Sequence, residues 1–390
     1  MIHNESQLEE RLSRPTEQDI AAMAALDGDL LILGAGGKMG PSLAKLARRA
    51  TEPNRDRKGV ATEPNRDRKG VGAEPNRDRK GVGAEPNRDT KGVGAEPNRD
   101  RKGVGALKKR IIAVARFSDP NTAADLNASG IETIPCDLLD PGALAQLPDA
   151  PNVIFMAARK FGTSGAAHLT WAMNTYLPGL VAERYRNSRI VAFSSGNVYG
   201  LEPVSSAGCT ESSPVAPAGE YAQSVLGRER MFEYGSSRWQ TKVALLRLNY
   251  AVDLRYGVLV DVAVAVFEER PVDLRMGMVN VIWQGDANSM CLRSFPYCQT
   301  PPRVLNITGP EKLSVREIAR EFGERFGKTP IFSGQENPTA LLSNALESHN
   351  IFGPPQVTAG QLMDWVANWI ISGGRLLNKP THFEARDGKY

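Results

Sequence analysis

The feature that most constrains this chain is Gly34-Ala-Gly-Gly37-Lys38-Met39-Gly40, set between an apolar run at 29–33 and a helix-forming run at 41–50. The apolar run reads as a buried parallel strand, and Pro41 suits the first position of a helix. Glycines spaced G-x-x-G-x-x-G permit a tight turn and let the backbone approach a pyrophosphate. The helix start then offers free amides and a favourable dipole. A tight turn without a ligand is the plainer reading of the glycines alone. Their place between strand and helix favours the phosphate.

A repeat interrupts this unit. An 11-residue block, TEPNRDRKGVA at its first occurrence, runs five times through 51–105. Each block carries Pro and Gly and only one sizeable apolar residue, so it has almost nothing to bury. Neither a supercoiled helix nor a solenoid fits, and the segment is expected to be a disordered tandem expansion. A basic tether for a polyanion is the functional alternative. The repeat holds 14 Lys/Arg and 10 Asp/Glu of the chain's 48 and 44, which leaves 34 of each elsewhere. The net charge of +4 therefore belongs to the repeat, and no nucleic-acid partner is expected.

Beyond the repeat, strands at 110–115, 132–135, 152–157, 189–193 and 242–248 alternate with helices at 121–129, 168–187 and 220–234. That rhythm predicts an α/β protein with a Rossmann-type, doubly wound parallel sheet. After 249 it loosens into a strand at 304–307 and helices at 314–326 and 361–371. The expected organisation is a helical extension at 1–27, a dinucleotide-binding domain at 28–250 carrying the insertion, and a smaller, mainly substrate-binding C-terminal region at 251–390. Ser6 and Thr16 mark the starts of two helices in the extension.

Composition narrows the setting. The four cysteines show no metal-binding spacing and the four histidines are scattered, so no metal site is expected. The longest apolar stretch, 257–267, is short and contains Asp261, so no membrane span is expected. The polar, acidic N-terminus does not read as a signal peptide, and the expected location is cytoplasmic.

The next landmark is the residue about 20 positions past the glycines, where an acid often holds ribose hydroxyls. Gly40 to Arg116 is 76 positions, or 21 once the 55-residue repeat is removed. That position holds an arginine, which suits a 2′-phosphate and favours NADP over NAD. Asp119 nearby keeps NAD open.

Two further motifs are Phe193-Ser-Ser195-Gly-Asn-Val-Tyr-Gly200 and Tyr221-Ala-Gln-Ser-Val225, the latter opening a helix. With these, roughly 28–370 resembles an extended short-chain dehydrogenase/reductase of the NAD-dependent epimerase/dehydratase kind. The resemblance implies cofactor contacts from Gly34, Gly37, Lys38, Met39 and Gly40. It adds Asp137 and Leu138 near the adenine, Ala157 and Ala158 in the cofactor wall, and Asn174. Ser195 and Tyr221 take the catalytic positions, while Asp286, Asn306 and Gly309 match weaker landmarks. The implied activity is hydride transfer with NADP or NAD on a small sugar-like substrate, and a homodimer is admitted.

One position departs from the family. Its Y-x-x-x-K lysine, which lowers the tyrosine pKa, is Val225 here. Without a cation, Tyr221 is expected to titrate near 10. Arg228, two helical turns on, and Lys160, after the cofactor wall, are the candidate substitutes. Arg255 and Arg293 are candidates for a phosphate or carboxylate, and Glu229 for either a surface or a structural role. The competing function is a non-catalytic dinucleotide-binding sensor or scaffold with a degenerate site.

Overall fold

A computed structural model describes residues 1–52, 109–160 and 165–388. The tandem repeat, expected to be disordered, lies outside these residues apart from Thr51 and Glu52.

Seven strands form the central sheet: β1 (Leu30–Leu33), β2 (Ile111–Ala115), β3 (Glu132–Pro135), β4 (Asn152–Phe155), β5 (Arg189–Ser195), β6 (Lys242–Leu248) and β7 (Arg303–Ile307). Their spatial order is β7-β6-β5-β4-β1-β2-β3, and every pair is parallel. The order reverses beside β1, which makes its carboxyl end the crevice where this architecture takes ligands. β7 comes from the looser C-terminal half of the sequence, yet it completes the sheet against β6.

The helices in the first half are α1 (Glu5–Leu12), α2 (Glu17–Ala25), α3 (Gly40–Thr51), α4 (Pro120–Ala128), α5 (Pro141–Ala145), α6 (Ala167–Trp171) and α7 (Leu177–Arg184). They continue with α8 (Gly219–Trp239), α9 (Val258–Phe267), α10 (Gln284–Leu292), α11 (Val315–Phe326), α12 (Leu346–Phe352) and α13 (Ala359–Ile371). Thr16 caps α2 as expected, but Asn4 rather than Ser6 caps α1, because it accepts from the Gln7 amide. No helix among the described residues is long and apolar enough to cross a membrane.

Strand alternation explains the layers. Leu30 and Ile32 face a core with α2, α3 and α10, while Leu31 and Leu33 face a second core with α5, α7 and α8. A third core joins α1, α9, α11 and α13. All four cysteines are free and buried.

The helix expected over 168–187 is broken by a π-helical turn at Ala172–Tyr176. Pro178 has no amide to give the Asn174 carbonyl, so the regular ladder fails there. The looser turn carries the buried Asn174 side chain inward, a positioning that periodicity alone does not reveal.

Candidate active site

The parallel sheet brings the glycine turn after β1, the wall after β4 and the end of β5 to one edge. Gly34, Gly36, Gly37, Arg116, Asp137, Leu138, Ala157 and Ala158 line a single cavity of about 390 Å³. Gly34 has φ +91°, and a Cβ there would stand 2.5 Å from the Ala157 amide nitrogen. A Cβ on Gly40 would meet the Ala35 carbonyl oxygen at 2.2 Å, so the turn closes only with glycine. No side chain caps α3. Of its first amides, Gly40 donates to the Gly37 carbonyl at 3.1 Å and Leu43 to the Met39 carbonyl at 3.0 Å, and Pro41 has none. Arg116 and Asp137 are exposed beside the cavity's glycines. Asp119 also lines the cavity but accepts from the Asn121 amide as the cap of α4. Met39 is half-buried against the core rather than in the cavity.

Ser195 ends β5 and Tyr221 lies in the first turn of α8, hydrogen-bonded to each other through their side chains. The Ser195 hydroxyl also donates to Asn197 Oδ1 at 2.8 Å. Burial raises the Tyr221 pKa above its ordinary value, opposed by the Arg228 charge and the Ser195 bond. Arg228 is buried, donating to the Phe193 carbonyl at 2.7 Å and to Asn174 Oδ1 at 3.0 Å. Burial brings its own pKa down to about 10, against the pull of Tyr221 and Glu229. Two helical turns of α8 therefore do bring a cation within electrostatic range of the phenol.

Asn174 lies outside the cavity. Its Oδ1 accepts from the Arg159 amide and Arg228, and its Nδ2 donates to the Arg159 carbonyl and Ser224, each at 2.9–3.0 Å. All its hydrogen-bonding capacity is spent on protein, so it positions the segment after β4 and the arginine.

Val225 is buried among Val198, Tyr199, Cys209 and Tyr221. Val225→Lys, which the family pattern suggests as a repair, overfills this apolar cluster. It is expected to cost about 1–3 kcal/mol of stability and to bring no gain in activity at neutral pH. Denaturant unfolding and turnover of the variant check both, and a stable, more active variant would reverse the reading.

Two lysines line the same edge. Lys38 Nζ sits 3.3 Å from the centre of the Tyr256 ring. It keeps solvent contact, yet the surrounding walls lower its pKa to about 7, Asp253 opposing and Lys160 adding to the shift. Lys160 Nζ lies 6.0 Å from the centre of the Tyr221 ring and donates to the Thr381 carbonyl at 3.1 Å. Burial lowers its pKa to about 8, against Asp261 and Glu384.

The supporting network was only partly visible in sequence. Glu229 is fully buried, accepting from Ser194 Oγ at 2.5 Å and from Arg247 at 2.9 and 2.7 Å. Arg247 also donates to the Tyr199 hydroxyl, which donates to Asn306 Oδ1, each at 2.8 Å. A charge inside the apolar strand 242–248 is the signal that could have revealed this. Asp286 accepts from the Val357 amide at 3.0 Å and burial raises its pKa to about 6. Arg255 is committed to Asp253, Glu5 and Glu9, and Arg293 donates to the Phe352 carbonyl, so neither awaits a ligand. Among the described residues, no three His, Cys, Asp or Glu side chains gather as metal ligands would.

The sheet order and the glycine turn define a Rossmann-type fold. Residues 103–251 match the model of the NAD dependent epimerase/dehydratase family, a span that includes Ser195 and Tyr221 and begins after the glycine turn. No curated protein matches the chain in sequence. Among solved structures, Pal from Bacillus thuringiensis superposes with TM-score 0.63 at 14% identity, over 88% of this chain and 99% of that one. DesIV, a dTDP-glucose 4,6-dehydratase from Streptomyces venezuelae solved with NAD, gives 0.63 at 15% identity, over 88% and 97%. UDP-glucose 4-epimerase from Thermotoga maritima, solved with UDP-glucose, gives 0.62 at 12% identity, over 88% and 99%. These likenesses establish a shared fold.

Proposed function

We propose that the protein is an NAD(P)-dependent oxidoreductase or epimerase/dehydratase acting on a sugar or sugar-derived substrate. The observation that carries this is the hydrogen-bonded Ser195–Tyr221 pair, with Arg228 acting on the phenol, at the sheet edge that holds the glycine-lined cavity. A bound nicotinamide ring would supply or accept the hydride. Gly34, Gly37, Lys38 and Gly40 would hold its pyrophosphate, Asp137 and Leu138 its adenine end, and Ala157 and Ala158 its flank. Tyr221 would exchange a proton with the reacting oxygen while Ser195 hydrogen-bonds that oxygen. The related dehydratase solved with NAD and the epimerase solved with UDP-glucose support the cofactor and the sugar class. Arg228 supports catalysis over a purely cofactor-sensing role, since a sensor needs no cation at the tyrosine. Turnover assays with both cofactors and a panel of sugars test the reading. Tight cofactor binding without turnover on any of them would favour the sensor.

Arg116 is exposed on the cavity wall and supports a preference for NADP. A charge-assisted contact to the 2′-phosphate contributes about 1.5–3 kcal/mol, or roughly 10- to 150-fold in affinity. Arg116→Ala is expected to erase that preference while sparing NAD. Equal affinities of the parent protein for the two cofactors would refute it.

A further inference from the structure

A chain of contacts runs from the N-terminal extension to the glycine turn. Glu5 and Glu9 share one face of α1, and both accept from the Arg255 guanidinium, at 3.0 and 2.7 Å. Arg255 is buried, and its other nitrogens donate to the fully buried Asp253 carboxylate at 2.8 and 3.2 Å. Asp253 in turn closes the loop that bears it. Its amide donates to the Tyr256 carbonyl at 3.0 Å, and its carboxylate accepts from the Arg255 amide at 2.5 Å. An aspartate, an arginine and two glutamates of a distant helix thus hold residues 253–256 in one arrangement.

That loop presents the Tyr256 ring to Lys38 of the glycine turn. The Lys38 ammonium lies 3.3 Å from the ring centre. Among the described residues no carboxylate comes within ion-pair distance of it, so the ring stands where an ion pair would. Asp253 and Asp261 attract the ammonium from further off, against the repulsion of Lys160 and Arg255. Burial raises the Tyr256 pKa, so the phenol is neutral and offers its electron-rich face. A lysine stem is flexible and loses much rotamer freedom when its head is fixed. Seated on the ring, the ammonium is fixed on one side and keeps its solvent-facing side for an anion.

We propose that Tyr256 is a positioning residue for the cofactor: its ring seats Lys38 where the ammonium meets the pyrophosphate, and α1 holds that seat through Arg255. This rests on the reading above, in which the glycine turn and Lys38 hold a nicotinamide cofactor, and it gives the N-terminal extension a function in that site. The physical gain is pre-organisation, because Lys38 is ordered before the cofactor arrives.

Titrations with NADPH and NADH, followed by nicotinamide fluorescence, test this on the parent, Tyr256→Leu, Tyr256→Phe, Lys38→Met and the double variant Lys38→Met with Tyr256→Leu. Tyr256→Leu is expected to bind the cofactor about tenfold more weakly than the parent, the scale of one desolvated cation–π contact. Tyr256→Phe keeps the ring and should bind like the parent. In the Lys38→Met background the leucine should cause no further loss, since the seat has no occupant. Glu5→Gln with Glu9→Gln removes both α1 carboxylates from Arg255. That pair should weaken binding in the parent and leave Tyr256→Leu unchanged. Equal or tighter binding by Tyr256→Leu overturns the seat. An undiminished loss in the Lys38→Met background also overturns it, because the ring would then act through packing alone. Should the leucine variant not fold, Tyr256→Met, a flexible filler without a ring, takes its place. Unchanged affinity in the glutamine pair overturns the role of α1. These titrations read binding alone, so a protein that turns over no sugar would count against the enzymatic reading while the comparison still decides the seat. A parent that binds neither cofactor overturns both.

Discussion

Tyr221→Phe is expected to lower turnover by about 10²- to 10⁴-fold, the range for loss of a positioned acid–base group. Cofactor affinity should stay near that of the parent, because the tyrosine ring and its packing remain. The sign of the pH dependence follows from the site. Burial holds the phenol above its ordinary value near 10, although Arg228 and Ser195 act in the opposite direction. At neutral pH the group is therefore a neutral hydroxyl, suited to donate a proton during reduction. In the oxidative direction it must first lose that proton, so the parent's rate should climb with pH through the alkaline range. The phenylalanine variant should show only a low residual rate without that rise. Pre-steady-state and steady-state rates across pH, on any substrate that turns over, check this. Unimpaired turnover in Tyr221→Phe would remove the residue from the mechanism.

The second large effect concerns stability. Arg247→Met should destabilise the protein by about 3–5 kcal/mol, because it strands the buried Glu229 carboxylate without its cation. Both Arg247 hydrogen bonds would go and the one from Ser194 would stay. The Tyr199 hydroxyl loses a donor at the same time. Replacing both members, Glu229→Leu with Arg247→Met, should recover much of the loss, since an apolar pair of similar volume carries no stranded charge. Denaturant unfolding of the single and double variants measures the difference. A single variant within about 0.5 kcal/mol of the parent would place it among ordinary surface changes instead. The pair also matters to the site. Glu229 adjoins Arg228 on α8, and Ser194 adjoins Ser195 on β5, so the carboxylate that Arg247 holds from β6 also accepts the Ser194 bond that ties together the two elements bearing the tyrosine and the serine.

The sequence by itself determined what depends on local pattern. Short apolar runs separated by helical periods specified the parallel sheet, because a strand buried on both faces has no polar alternation to offer. The glycine spacing after the first strand marked the phosphate turn, because only glycine tolerates the φ of Gly34 and the contact of Gly40 with Ala35. Residues near one another in that frame, Arg116, Asp137, Leu138, Ala157 and Ala158, were placed together by the regular return of parallel strands to one edge. The tertiary structure decided what depends on distant segments meeting. Whether Arg228 serves Tyr221 turned on the pitch of α8 and on a carbonyl of β5 and an amide of the π turn that hold it. Asn174 was drawn inward by a break in the helix at a single proline, and four hydrogen bonds to Arg159, Ser224 and Arg228 hold it there. Glu229 and Arg247 became a buried pair only when α8 crossed β6, since burial is a property of the assembled layers. The segment after α13 carries no apolar period at all. Its course is fixed by single side chains, Thr381, Phe383 and Arg386, each meeting a partner far away in the chain.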